Sequence, residues 1–164
     1  MNRINLICLG VKDLRKSLAF YKEIGFSTPD TAEEPAIVFF NNEGSKLELY
    51  PIDELAKDIN EESPPESAAG QFSGITLACN MKSKEAVDEV MDKVEAAGGA
   101  IVKMPRIVSW GGYSGYFSDP DGYYWELAYA NTWEFDDQNM LVLSLIHISE
   151  PTRQADPLLN QGPE

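Results

Sequence analysis

The sequence predicts an α+β protein of two tandem βαβββ modules, forming a curved mixed sheet around a cavity. Two observations carry this: an internal repeat, and a switch within each repeat from helical to alternating apolar periodicity. "LICLGVKDLRKSLAFY" from Leu6 is matched by "TLACNMKSKEAVDEVM" from Thr76. Each reads as an apolar strand, a polar start signal and a helix. "FFNNEGSKLELY" (Phe39–Tyr50) is then matched by "YFSDPDGYYWELAY" (Tyr116–Tyr129). Each of these is a strand, a turn with Gly and a second strand.

The elements follow in order. Asp13 is a good N-cap, followed by Leu14, Leu18, Tyr21 and Ile24 at helical spacing until Gly25. The second helix starts near Ser83, carries Ala86, Val87, Val90, Met91, Val94 and Ala97, and stops at Gly98-Gly99. Further strands are expected near Phe26 and at Ala100–Lys103, and a short helix at Asp53–Ile59. The expected division is a first module at 1–59, a Pro/Ser/Glu/Gly linker at 60–71 ("NEESPPESAAGQ") and a second module at 72–142.

Period two assigns the strand faces. Ile7, Leu9, Val11, Leu47, Leu49, Ile75, Leu77, Cys79, Met81, Trp125 and Leu127 should pack on the helices. The opposite faces, with Leu6, Cys8, Glu48, Tyr50, Thr76, Asn80, Tyr124 and Glu126, should line a shared concavity.

Composition bounds the function. The 164 residues suit one domain or two small modules, with 43% hydrophobic and 24% charged residues. A net charge of −14, from 13 basic and 27 acidic residues, argues against nucleic acid and anionic membrane as partners. The run "INLICLGV" is short and lacks a cleavage site behind it, and no run reaches transmembrane length, so a cytoplasmic protein is expected. Cys8 and Cys79 have neither CxxC spacing nor a disulfide framework. "LSLIHISEPTR", Leu143–Arg153, resembles a translated sequencing adapter, so 143–164 is expected to be a non-native tail. Its His147 is the chain's single histidine.

"GVKDLRKSLAFYKEIGF" with "SGYFSDPDGYYWELAY" resembles the vicinal oxygen chelate superfamily of glyoxalase I, bleomycin-resistance proteins and extradiol dioxygenases, over about residues 3–135. The resemblance implies the glyoxalase/bleomycin-resistance/dioxygenase fold, a homodimer and four metal-ligand positions. Carried over, these are Leu6, Glu48, Thr76 and Glu126, where relatives usually hold His or Gln at the first-strand positions. A divalent transition metal prefers at least three protein ligands with imidazole favoured, so no cofactor is expected. A weakly bound divalent metal on Glu48 and Glu126 is the alternative.

Two facing carboxylates raise one pKa, which makes Glu126, and more weakly Glu48, a candidate base. The competing reading pairs Glu48 with Lys46, and bonds Glu126 to Tyr124, Tyr50 or Tyr116. The expected ligand-binding residues are Tyr50, Phe39, Asn80, Trp110, Tyr113, Tyr116 and Tyr124, with "VSWGGYSGY" as a loop over the cavity mouth. The aromatics are equally consistent with interior filling or a dimer contact. Cys8 faces the concavity but lacks a base, and reads as an inert thiol. Asp119 and Asp121 read as turn residues. The expected function is small-molecule binding in an aromatic-lined cavity. The alternative is a glyoxalase-like lyase or isomerase.

Overall fold

The computed structural model describes residues 1–66 and 71–143. The elements are β1 (Leu6–Val11), α1 (Leu14–Glu23), β2 (Val38–Phe39), β3 (Lys46–Pro51), α2 (Ile52–Ile59), β4 (Thr76–Asn80), α3 (Lys84–Ala96), β5 (Ala100–Ile107), β6 (Tyr113–Ser118) and β7 (Tyr124–Tyr129). Leu143 is the last described residue, so His147 and nearly all of the suspected tail lie outside the described residues.

The strands form two sheets. The first has the order β1-β3-β2 and the second β4-β7-β6-β5. In both, the first strand of the module lies parallel to its last strand: Cys8 opposes Glu48, and Ala78 opposes Glu126. The repeat in sequence is thus a repeat in topology. The strand expected near Phe26 does not form. Residues 27–37 ("STPDTAEEPAI") hold two prolines and no apolar alternation, so they supply neither the donors nor the buried face of a strand. Phe26 instead donates its N–H to the Tyr21 carbonyl, 2.9 Å, and turns its ring into the core. The strand expected at Ala100–Lys103 forms and runs on to Ile107 as an edge, with register shifts between Ile101 and Lys103 and between Lys103 and Arg106. Its Pro105 is tolerated because an edge strand need not donate on both sides.

Both long helices start as their sequences dictate. The Asp13 side chain accepts from the Lys16 N–H, and that of Ser83 from the Ala86 N–H, each at 3.0 Å. The core is one cluster spanning both modules: Leu9, Val11, Leu47 and Leu49 from the first sheet, Phe20, Tyr21, Val87 and Val94 from the helices, Phe117, Trp125 and Leu127 from the second sheet. Truncating a buried Phe such as Phe20 or Phe117 costs roughly 3–5 kcal/mol. The Arg15–Glu34 ion pair, with both side chains about 70% exposed, contributes only about 0.5 kcal/mol. Apolar burial therefore holds the modules together.

The turn "DPDG" fastens the second module to the first. Asp119 accepts from the Asp121 and Tyr123 N–H groups (3.0 and 2.8 Å), the local turn expected of it. It also accepts from the Tyr21 hydroxyl on α1 at 2.6 Å, and that hydroxyl accepts from Trp125 Nε1 at 3.2 Å. Asp121 accepts from Ser17 Oγ on α1 (2.6 Å) and from the Lys12 N–H (2.8 Å). Gly122, at φ 93°, permits the turn.

Candidate functional site

Glu48 and Glu126 occupy matching places on the last strand of each module, but their surroundings differ. Glu48 is buried, 7% exposed, and accepts a hydrogen bond from Cys8 Sγ at 3.3 Å. Burial and the adjoining Glu48 carboxylate push the Cys8 thiol up to about 12, so it stays protonated at neutral pH and makes a poor nucleophile. The pairing of Glu48 with Lys46 is not found: Lys46 Nζ donates to the Asn42 carbonyl instead. The helix α2 packs on this face of the first sheet. A Cβ placed on Gly10, in line with Cys8 on β1, would lie 3.0 Å from Ile52 Cγ1 and 3.2 Å from Leu55 Cδ2. The short helix foreseen at Asp53–Ile59 therefore covers the half of the concavity that holds Glu48.

The corresponding face of the second sheet is open. Thr76 and Ala78 are exposed, and Asn80, Tyr116, Tyr124 and Glu126 are half-buried. Glu126 opposes Ala78 on one side and Tyr116 on the other. Its Oε1 accepts from Ser114 Oγ at 2.7 Å. Ser114 is 1% exposed, so it forms a fixed mount for the carboxylate. Period two along β6 places Ser114 on the Tyr116 face, the signal in sequence that points to it. Lys103 Nζ sits over the Tyr116 ring, 5.5 Å from its centroid.

The remaining candidates are dispersed. Tyr50 is half-buried on β3 and Phe39 is 48% exposed on β2, beside Glu48. Tyr113 lies on the α3 side of its sheet: its hydroxyl donates to Asp88 on α3 at 2.8 Å, and Lys84 Nζ lies over its ring. Trp110 covers Gly112 and stacks on Trp133 with centroids 5.7 Å apart. Tyr124 packs edge-on against Phe72.

The metal positions can be tested by their donor chemistry. Leu6 offers no donor and Thr76 a neutral hydroxyl, while the Glu48 carboxylate is engaged by Cys8. Among the described residues no group of three or more His, Cys, Asp or Glu is placed to hold a metal. This set does not fit a resident divalent transition metal, which requires three or four such ligands.

A cavity of about 430 Å³ lies elsewhere, on the helix side of the second sheet at the junction of the modules. Cys79, Met81, Phe117, Trp125 and Leu127 line it, with residues from the end of α1 and from the β2–β3 turn. None of the residues expected from the sequence to form the site lines this cavity.

Taken together, the two sheets form an α+β scaffold in which the last strand of each module carries a matched carboxylate, Glu48 and Glu126. The sequence matches the Glyoxalase/Bleomycin resistance protein/Dioxygenase superfamily over residues 3–127, and the chain belongs to that superfamily. Among solved structures it is similar to a glyoxalase-related enzyme from Fulvimarina pelagi, with 27% identity and a TM-score of 0.76, over 88% of this chain and 99% of that one. It is also similar to a lactoylglutathione lyase from Agrobacterium tumefaciens, with 25% identity and a TM-score of 0.60, over 83% of this chain and 99% of that one. A family enzyme from Burkholderia phytofirmans shares the fold at 20% identity and a TM-score of 0.65, over 76% and 96% of the two chains. No curated protein matches the chain significantly. No helix among the described residues is long and apolar enough to cross a membrane.

Proposed function

We propose that this chain is a small-molecule-binding member of the superfamily in which Glu126 anchors the ligand directly, without a metal. The observation that carries the reading is the mounting of Glu126: a half-buried carboxylate on an open sheet face, fixed through Oε1 by the buried Ser114 hydroxyl. Oε2 then serves a ligand's N–H or O–H, and Tyr116 and Tyr124 supply flat apolar contact beside it. Asn80 borders the same face and orients a polar group of the ligand. A carboxylate anchor and an acidic chain favour a cationic ligand over an anionic one.

The second reading makes Glu126 the general base of a lyase or isomerase, with Glu48 in a minor part and with or without a weakly held divalent ion. Its support is the likeness to the lactoylglutathione lyase and the fixed orientation of a carboxylate facing solvent. We also read the protein as cytoplasmic and homodimeric, built of modules 1–59 and 72–142 joined by the linker 60–71. Support for a dimer is the edge strand β5, whose Val102, Met104 and Ile107 are 52–70% exposed. A sedimentation mass of one chain would remove the dimer.

A thermal-shift screen across cationic antibiotics, glutathione adducts and divalent metals tests the function. A hit whose affinity falls in Glu126→Gln and Tyr124→Ala is expected. A hit indifferent to both would place binding elsewhere. Turnover of a hit by the wild type that is abolished in Glu126→Gln, with binding still measurable, would favour the second reading.

A further inference from the structure

We propose that the junction cavity is a second binding site, for a small molecule with a flat apolar body and an amine head. Its floor is built before any ligand arrives. Phe117 and Trp125 lie parallel, with centroids 6.1 Å apart and an interplanar angle of 1°. With Leu127 they are at most 5% exposed. Trp125 is locked by its bond to the Tyr21 hydroxyl, and Phe26 stands edge-on to it at 5.9 Å. An ordered aromatic floor spares a ligand the cost of ordering side chains on binding. The volume of about 430 Å³ falls within the range of small-molecule sites.

The rim selects the head group. Glu43 lines the cavity, and both its oxygens accept from Asn139 Nδ2 at 2.9 Å. A carboxylate has about four acceptor positions, so capacity remains for an ammonium. Ile24, the C-cap of α1, and Gly25 after it complete the lining beside Glu43. Two lysines lie near the rim, each directed at a carbonyl oxygen: Lys82 Nζ at Asn139 Oδ1 and Lys46 Nζ at the Asn42 backbone. None of the lining residues is basic. Among the lining residues Glu43 carries the one formal charge, so the lining favours a cation over an anion of the same shape.

This site is separate from the Glu126 face, because β7 turns Trp125 and Leu127 to one side of the sheet and Glu126 to the other. Titration calorimetry of the full chain with phenylbutylamine, phenylbutanol and phenylbutyrate tests the proposal. The amine should bind saturably at one equivalent, the alcohol about ten-fold more weakly, and the acid weakest. Glu43→Gln should bring the amine to the level of the alcohol. Val90→Phe, which fills the cavity, should abolish binding of both. In the Glu126→Gln background, which silences the open sheet face, the same order of affinities and the same loss in Val90→Phe are expected.

Should Val90→Phe fail to fold, the indole N–H resonances of the wild type decide: addition of amine should move that of Trp125 and spare Trp110 and Trp133. Absence of saturable amine binding overturns the proposal. So does binding that survives Val90→Phe but is lost in Glu126→Gln, or a shift confined to Trp110 and Trp133.

Discussion

Asp119 is 4% exposed and accepts three hydrogen bonds, from the Tyr21 hydroxyl and from the N–H groups of Asp121 and Tyr123. Burial raises its carboxyl pKa above the ordinary range; the bonds from Tyr21 and the backbone oppose the rise without cancelling it, and the nearby Asp121 charge adds to it. The folded chain therefore holds this proton more tightly than the unfolded chain. Stability from this group is fully present below the ordinary carboxylate range and is lost as pH rises through the raised value. Asp119→Asn stays neutral throughout. Urea unfolding from about pH 4 to pH 7 should show the variant gaining on the wild type as pH rises. A constant difference would show that the bonds cancel the effect of burial, and one moving the other way that they outweigh it. The residue pattern made the turn legible, because Pro, Asp and Gly supply its dihedrals and local bonds. Its reach across to Tyr21 and Ser17 spans about a hundred residues of chain, and no local spacing encodes a bond of that kind. Ser114 shows the opposite limit: its face follows from period two, but a lone serine carries no signal in sequence that sets it apart from any other strand hydroxyl.

Parity was the most dependable signal at the scale of elements. The faces assigned to β1, β3 and β7 put Leu9, Val11, Leu47, Leu49 and Leu127 in the core and leave Glu126 on the far side of its sheet; in the second module Leu77 and Cys79 pack against the core, whereas Ile75, just before β4, is exposed. Parity says which face a side chain takes but not what lies against that face. The short helix α2 illustrates this. Its existence followed from the sequence, yet its docking over Cys8 and Glu48 depends on Gly10 leaving room for Ile52 and Leu55. The Cβ of Gly10→Val would meet Ile52 at 3.0 Å, and its two methyl groups have no space beyond. Lifting α2 should speed the reaction of Cys8 with a disulfide reagent, while Cys79 in the same chain serves as the internal reference. An unchanged Cys8 rate would mean that α2 is not what shields it. The absent strand near Phe26 shows the complementary limit. A single aromatic next to a Pro-containing segment satisfies the core as a loop, without needing a ladder.

For the whole molecule, the repeat and the paired motifs made the fold and superfamily legible, because each module must bury one apolar face against its own helix. The arrangement of the two concave faces was not legible. The sequence suggested one shared cavity lined by both glutamates. The structure instead covers one face with α2, leaves the other open and places a cavity on the helix side. In the proposed function Glu126 works as a carboxylate in its own right, since Leu6 and Thr76 supply neither an imidazole nor a charged donor. Elemental analysis of the full chain, purified without chelators, tests this most directly. Zinc, nickel, iron and manganese should all lie far below one equivalent. A near-equimolar metal that disappears in Glu126→Gln would contradict it.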